Sequence, residues 1–271
     1  MKRFLLIPLV VALAACGPST GGSSTGQLGD VMADGTSTFV VVDLVAGTVR
    51  SQAAVADLGT NPRYRDDLLV FRRVGSGANQ VLIAVFELTQ AQWQRIDGST
   101  PWTLVDARVV AASGYATSNR PAYNLSYDDV EGAFATVALQ SGARLAIPTA
   151  AQWLTASGIN AGWTWGSALD RSTLQGNAVV REGVLDNARM SGDIDIGGPL
   201  PVGTRAASPT GIYDLHGNVW EWVAPGEAAR GGSWHDSVMA SRVEITATRN
   251  GSGVNPALDH ALIGVRPILV P

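Results

Sequence analysis

The chain has 271 residues, 46% of them hydrophobic and 15% charged, with 19 Lys plus Arg against 23 Asp plus Glu and a net charge of −4. That apolar share is ample for a core and excludes a disordered chain, while the small negative charge gives no general attraction to nucleic acid or anionic lipid. A single cysteine excludes a disulfide scaffold and a cysteine-based metal cluster, and 31 Gly beside 8 Trp point to a loop-rich fold with bulky anchors rather than a helix bundle.

Lys2 and Arg3 precede an apolar run, Phe4 to Ala12, that is too short to span a bilayer. The run ends in Leu13-Ala14-Ala15-Cys16, small residues before a cysteine, which resembles the cleavage site of bacterial lipoproteins. The resemblance implies that Cys16 is lipidated and becomes the mature N-terminus; the plainer alternative is a secretory leader with a chance cysteine. Residues 1–15 are thus a signal peptide. Residues 16–36, rich in Gly, Ser and Thr without apolar periodicity, are expected to be a flexible tether. Residues 37–271 form one globular domain, since no repeat, heptad or linker divides them.

Within that domain the β-branched run Phe39 to Leu44 predicts a strand, closed by a turn at Ala46-Gly47. Leu68 to Arg73 and Val81 to Leu88 are further strands, separated by Gly75-Ser76-Gly77. Thr89 caps a helix through Trp93 to Ile96. Ser126 caps a second, with Asp128 and Asp129 at its positive end and Val130, Phe134, Val137 and Ala138 on one apolar face, ended by Gly142. Pro148-Thr149 opens a third, Ala150 to Ala156, carrying Trp153. From Gly158 to Pro209 no period survives, and a stretch that long needs a ligand or metal to order it.

The most distinctive stretch is Gly211-Ile-Tyr-Asp-Leu-His-Gly-Asn-Val-Trp-Glu-Trp222, followed by Arg230-Gly-Gly-Ser-Trp234 and Gly264-Val-Arg266. Upstream stand Phe86-Glu-Leu-Thr-Gln-Ala-Gln-Trp93, Arg120-Pro121 through Asp129, Leu145 through Trp153, and Trp165-Gly166. In this order and spacing they resemble the formylglycine-generating-enzyme, or sulfatase-modifying-factor, family. The resemblance implies an α+β, C-type-lectin-like fold, loop-rich, with short helices packed on small antiparallel sheets. It also implies structural calcium, at Asp214, Gly217, Val219 and Glu221, with a second set at Asn177, Asp193 and Asp195. Carboxylates and free carbonyls at short spacing suit Ca²⁺; otherwise Asp214 and Glu221 pair with Arg or cap turns. Arg266 is expected to anchor to a buried carboxylate, and Trp220 and Trp222 to pack in the core.

The family's oxidase uses copper held by two cysteines after the Gly-Gly-Ser-Trp signature, and Trp234 to Pro271 contains none. A soft Cu(I) ion needs such thiolates, so no copper is expected. His216, His235 and His260 are the only histidines, which makes an iron site remote. The chain is therefore read as a non-catalytic, lipid-anchored binding protein. Its ligand surface would draw on Trp234, His235, Asp236, Val238, Thr246, Thr248, Asn250, Ser252, Val254, Leu258, His260 and Leu262, because loops carry function. That layout also resembles the variable proteins of diversity-generating retroelements, which would diversify positions between His235 and Leu262 and leave Met239 and Glu244 fixed. Two other classes stand beside this reading: an envelope lipoprotein recruiting one fixed protein partner, and an enzyme of the family with altered chemistry. Partners would be a protein or surface ligand, and the membrane through the lipid alone. The protein is expected as a monomer, exported to the outer membrane or cell surface.

Overall fold

The computed structural model describes residues 24–26, 29, 31, 35, 37–105, 117–181, 198–225, 228–247 and 261–271. In chain order the elements are β1 (Ser24–Gly26), β2 (Phe39–Asp43), β3 (Thr48–Gln52), α1 (Arg63–Asp66), β4 (Leu68–Val74), β5 (Val81–Ala84) and α2 (Gln90–Ile96). Then come α3 (Tyr127–Ser141), β6 (Arg144–Ala146), α4 (Ala150–Ser157) and α5 (Arg171–Asn177). The chain ends with β7 (Trp220–Val223), β8 (Ala228–Arg230), β9 (Thr246–Ala247), β10 (Ile263–Gly264) and β11 (Ile268–Val270). The larger sheet runs β1-β3-β2-β4-β5-β11-β6, antiparallel throughout. The smaller runs β10-β7-β8-β9, with only β10 and β7 parallel. Short helices on two small sheets make this the expected α+β, C-type-lectin-like fold.

The continuous apolar run of β2 has a physical reason: both faces of the strand are covered. Val40 and Val42 enter the main core with Leu69 and Phe71 of β4, while Phe39 and Val41 pack the other face with Leu68, Val70 and Phe86. The three sequence-predicted helices are present and begin at their expected caps. The Thr89 and Thr149 side chains each accept from the backbone three residues on, and Gln92 and Gln152 complete capping boxes. The Ser126 hydroxyl accepts from Asp129 N–H, and Gly142 ends α3 in the left-handed region at φ 70°. Val130, Phe134 and Val137 are buried as the periodicity requires, with Ala138 half-buried.

Two expectations are corrected. The tether does not run unstructured to residue 36. Ser24–Gly26 pair with β3, Ser24 opposite Ser51 and Gly26 opposite Val49, and Val31 is buried in the main core. Strand addition needs only backbone donors and acceptors, so a Gly/Ser/Thr sequence can cover an open edge without any apolar signal. Nor is the stretch after Gly158 without regular structure. Asp170 caps α5, whose only buried side chain is Leu174, too few to give a period.

Candidate binding surface and its buried scaffold

The side chains that carried the family resemblance converge in the interior. Arg266 and Glu221 are both fully buried, their closest oxygen and nitrogen 2.6 Å apart. Arg266 Nε donates to both Glu221 oxygens at 3.0 and 3.1 Å, while Nη1 and Nη2 donate to the carbonyls of Ala84, Val85 and Tyr213. The Trp153 indole N–H donates to Glu221 Oε2 at 2.7 Å. One guanidinium thus ties β5, the end of β10 and the Tyr213 turn to β7. The sequence-based expectation that Arg266 meets a buried carboxylate holds, and Glu221 is its partner.

A second buried acid, Glu87, accepts from Asn218 Nδ2 at 2.6 Å and Val219 N–H at 3.1 Å. Burial pushes its carboxyl well above the ordinary range, with Asp214 and Glu221 adding repulsion. Asp214 Oδ2 accepts from Gly203 N–H at 2.6 Å, its Oδ1 is buried without a partner, and burial raises its pKa to about 6. His216 is buried with Nδ1 facing Ser241 O at 2.8 Å. Thr164 N–H donates to Nε2 at 3.2 Å, so Nε2 accepts and Nδ1 carries the proton. Desolvation holds the His216 pKa down at about 4, keeping the ring neutral.

These partners decide how the first calcium set fits. Both Glu221 oxygens face a guanidinium, and a divalent cation beside Arg266 would meet like charge. Gly217 sits at φ 94° against the Val179 carbonyl, and its N–H is given to Gly231 O. Asp214, Gly217, Val219 and Glu221 all lie in the core, and Glu221 pairs with Arg, one of the two readings the sequence left open. Asn177 of the second set donates its amide to Thr173 O, and Asp193 and Asp195 lie outside the described residues. Among the described residues no group of three or more His, Cys, Asp or Glu is placed to hold a metal ion.

The segment expected to meet ligand is pinned at one end to the turn that enters β7 and at the other to β7 itself. Trp234 is buried and its N–H donates to Asn218 O at 2.9 Å; at the far end Trp220 N–H donates to Leu262 O at 2.9 Å, and β10 lies beside β7. Asp236 is structural, since its Oδ2 accepts from the Trp220 indole at 2.8 Å and from Ser233 N–H at 3.1 Å. Val238 is buried. His235, half-buried, stands edge-on to Trp234. Thr246 lies on the open edge strand β9 next to exposed Ile245, and Leu262 is half-buried. Thr248, Asn250, Ser252, Val254, Leu258 and His260 lie outside the described residues, as does Cys16.

The sulfatase-modifying factor enzyme 1-like domain family matches residues 56–269 of this chain. The chain belongs to that family. Its fold is similar to variable protein 1 of Treponema denticola, with 17% identity, a TM-score of 0.55, and coverage of 75% of this chain and 96% of that one. It is also similar to PvdO from Pseudomonas aeruginosa, with 17% identity, a TM-score of 0.52, and coverage of 93% and 92%. Among curated proteins it is 24% identical to "Chaperone protein LppX" of Paenibacillus barcinonensis, over 97% of each chain.

As a sulfatase-modifying factor enzyme 1-like domain, the chain keeps the family's signatures as internal braces. Sequence reasoning missed Glu87 and the Trp153 indole as members of that brace. An acid between Phe86 and Leu88, in an apolar strand end, was the available signal for Glu87. It also missed Arg65, 8% exposed on four-residue α1, which no local pattern marks.

Proposed function

We propose that this sulfatase-modifying factor enzyme 1-like domain is a non-catalytic, lipid-anchored binding protein that presents the segment from His235 to Leu262 to a ligand or receptor. The observation that carries the reading is how that segment is mounted. Trp234 and Leu262 both hydrogen-bond around β7, and the signature side chains Glu221, Arg266, Asn218 and His216 are spent on one another and on the backbone. With its ends clamped, the segment would vary at its exposed and half-buried positions, such as His235, Ile245 and Thr246, while Val238, Ser241 and Val243 hold the core.

Three further facts support it. The chain's one cysteine is Cys16, so the segment offers no thiolate to copper. Glu244, expected as a fixed position, accepts from Gly162 N–H at 2.8 Å and pairs with Arg242, a bracing role. Among the described residues no helix is long and apolar enough to cross a membrane, so attachment would come through lipid on Cys16, in keeping with a relative named as an Lpp protein. The chaperone in that relative's name favours a second reading, recruitment of one protein partner through a fixed surface.

Sequencing the gene and its flanks from independent isolates separates the two. Diversified binding predicts substitutions concentrated between His235 and Leu262, with Trp234 and Arg266 constant, and a reverse transcriptase beside a near-identical template repeat. An invariant segment without those neighbours would favour the fixed partner.

A further inference from the structure

Away from that segment, a cleft of about 310 Å³ opens between the turn before α1 and the loop around Gly203, lined by Thr60, Arg65, Asp66, Ser118, Asn119 and Thr204. Its floor is a held guanidinium. Arg65 Nε donates to Val202 O at 3.1 Å and Nη1 to Leu58 O at 3.1 Å, and its Cζ lies 4.5 Å from the centre of the Phe86 ring. Phe86 in turn packs on Tyr213, ring centres 5.1 Å apart. Among the described residues the hydrogen bonds of Arg65 run through Nε and Nη1, which leaves Nη2 open to the cleft, and a Cβ on Gly203 would stand 2.8 Å from it. Gly203, at φ 74° with its N–H gripped by Asp214, is what keeps that nitrogen uncovered.

Burial lowers the Arg65 pKa, with Asp214, Tyr213 and Asp66 opposing the effect. A guanidinium fixed through two of its nitrogens presents the third to the cleft as a positioned, charged donor for an acceptor. Beside it the half-buried Asp66 carboxylate makes no ion pair among the described residues; its backbone N–H donates to Pro62 O and its carbonyl accepts from Arg95. Asn119 Oδ1 accepts from Thr117, which leaves its amide N–H₂ for the cleft. A fixed positive floor and an unpaired acid on the wall, with hydroxyls and an amide between, match a small molecule carrying both charges.

We infer that this cleft binds a small zwitterion of the amino-acid class, its carboxylate on Arg65 Nη2 and its ammonium on Asp66. The two ends are read by different groups, so neither half alone should bind well. Amide chemical shifts of the isotope-labelled soluble domain would be followed against individual L-amino acids, with acetate and methylamine as single-ended probes. The expected result is saturable shifts at Gly203, Thr204 and Asn119 for at least one amino acid. Acetate and methylamine should bind at least roughly tenfold more weakly, the scale of one charged hydrogen bond. Asp66→Asn, on a half-buried side chain, should keep the fold and weaken binding by a similar factor, and Arg65→Gln should abolish it. If Arg65→Gln fails to fold, Asp66→Asn decides. Absence of saturable shifts with every amino acid, acetate binding as tightly as the amino acid, or Asp66→Asn binding unchanged would each overturn the assignment.

Discussion

The stretch from Gly211 to Trp222 and the segment from Trp234 to Leu262 border the same strand, β7, and use their polar side chains in opposite ways. In the first, Asp214, His216, Asn218 and Glu221 are all buried, and each meets a partner on a distant element, from Gly203 to Arg266. In the second, Asp236 and Glu244 brace the fold, while Met239 and Ile245 are 49% and 38% exposed. Buried polar groups are costly unless every partner is present, so the first stretch is intolerant of change. Exposed side chains such as Met239 and Ile245 carry no such constraint. The most distinctive motif of the sequence is here an internal brace.

That contrast can be broken most forcefully at Arg266. Arg266→Met removes the cation that pairs with Glu221 in the core, and should cost about 3–5 kcal/mol of unfolding free energy, measured by urea denaturation. Gly217→Ala comes next. The new Cβ would overlap the Val179 carbonyl oxygen at a backbone angle side chains rarely adopt, and a loss of more than about 2 kcal/mol is expected. Trp153→Phe removes the indole N–H from Glu221 and leaves a small void at a fully buried position, and should cost about 2–4 kcal/mol.

Smaller effects sharpen the contrast through pH. Between about pH 4 and 6 folded Asp214 keeps a proton that an ordinary aspartate, with pKa 3.8, has released, so this residue lowers stability as pH rises. His216 acts oppositely, because its folded pKa of about 4 lies below the ordinary 6.5; stability from this residue rises with pH across that interval. Asp214→Asn keeps an acceptor for Gly203 and removes the falling contribution. Melting temperature should then climb more steeply from pH 4 to 6.5 than in the parent; an unchanged slope would contradict the burial of that carboxyl. At the mild end, His235→Ala should shift stability by no more than about 0.5 kcal/mol.

Legibility in the sequence followed the range of the forces. Capping by Thr89, Ser126 and Thr149 is decided within three residues, and all three helices were readable. Strands of two to four residues such as β6, β8 and β9 are set by partners far along the chain, and no local pattern announced them. The need of Arg266 for a carboxylate was legible, but its choice of Glu221 over Asp214 or Glu87 was not, because only the packed structure shows which acid lies in its plane. The sequence offered Asp214 and Glu221 either a cation or an arginine, and only the packed structure shows Arg266 on Glu221. Arg65 was invisible, since its importance comes from what Gly203 leaves uncovered.

The most direct test compares two libraries of the soluble domain, sorted for folded protein by protease resistance. One randomises His235, Ile245 and Thr246; the other randomises Glu87, Glu221 and Arg266. The account predicts that most members of the first library survive and almost none of the second. Equal survival of the two would contradict the division of the chain into a fixed brace and a changeable surface.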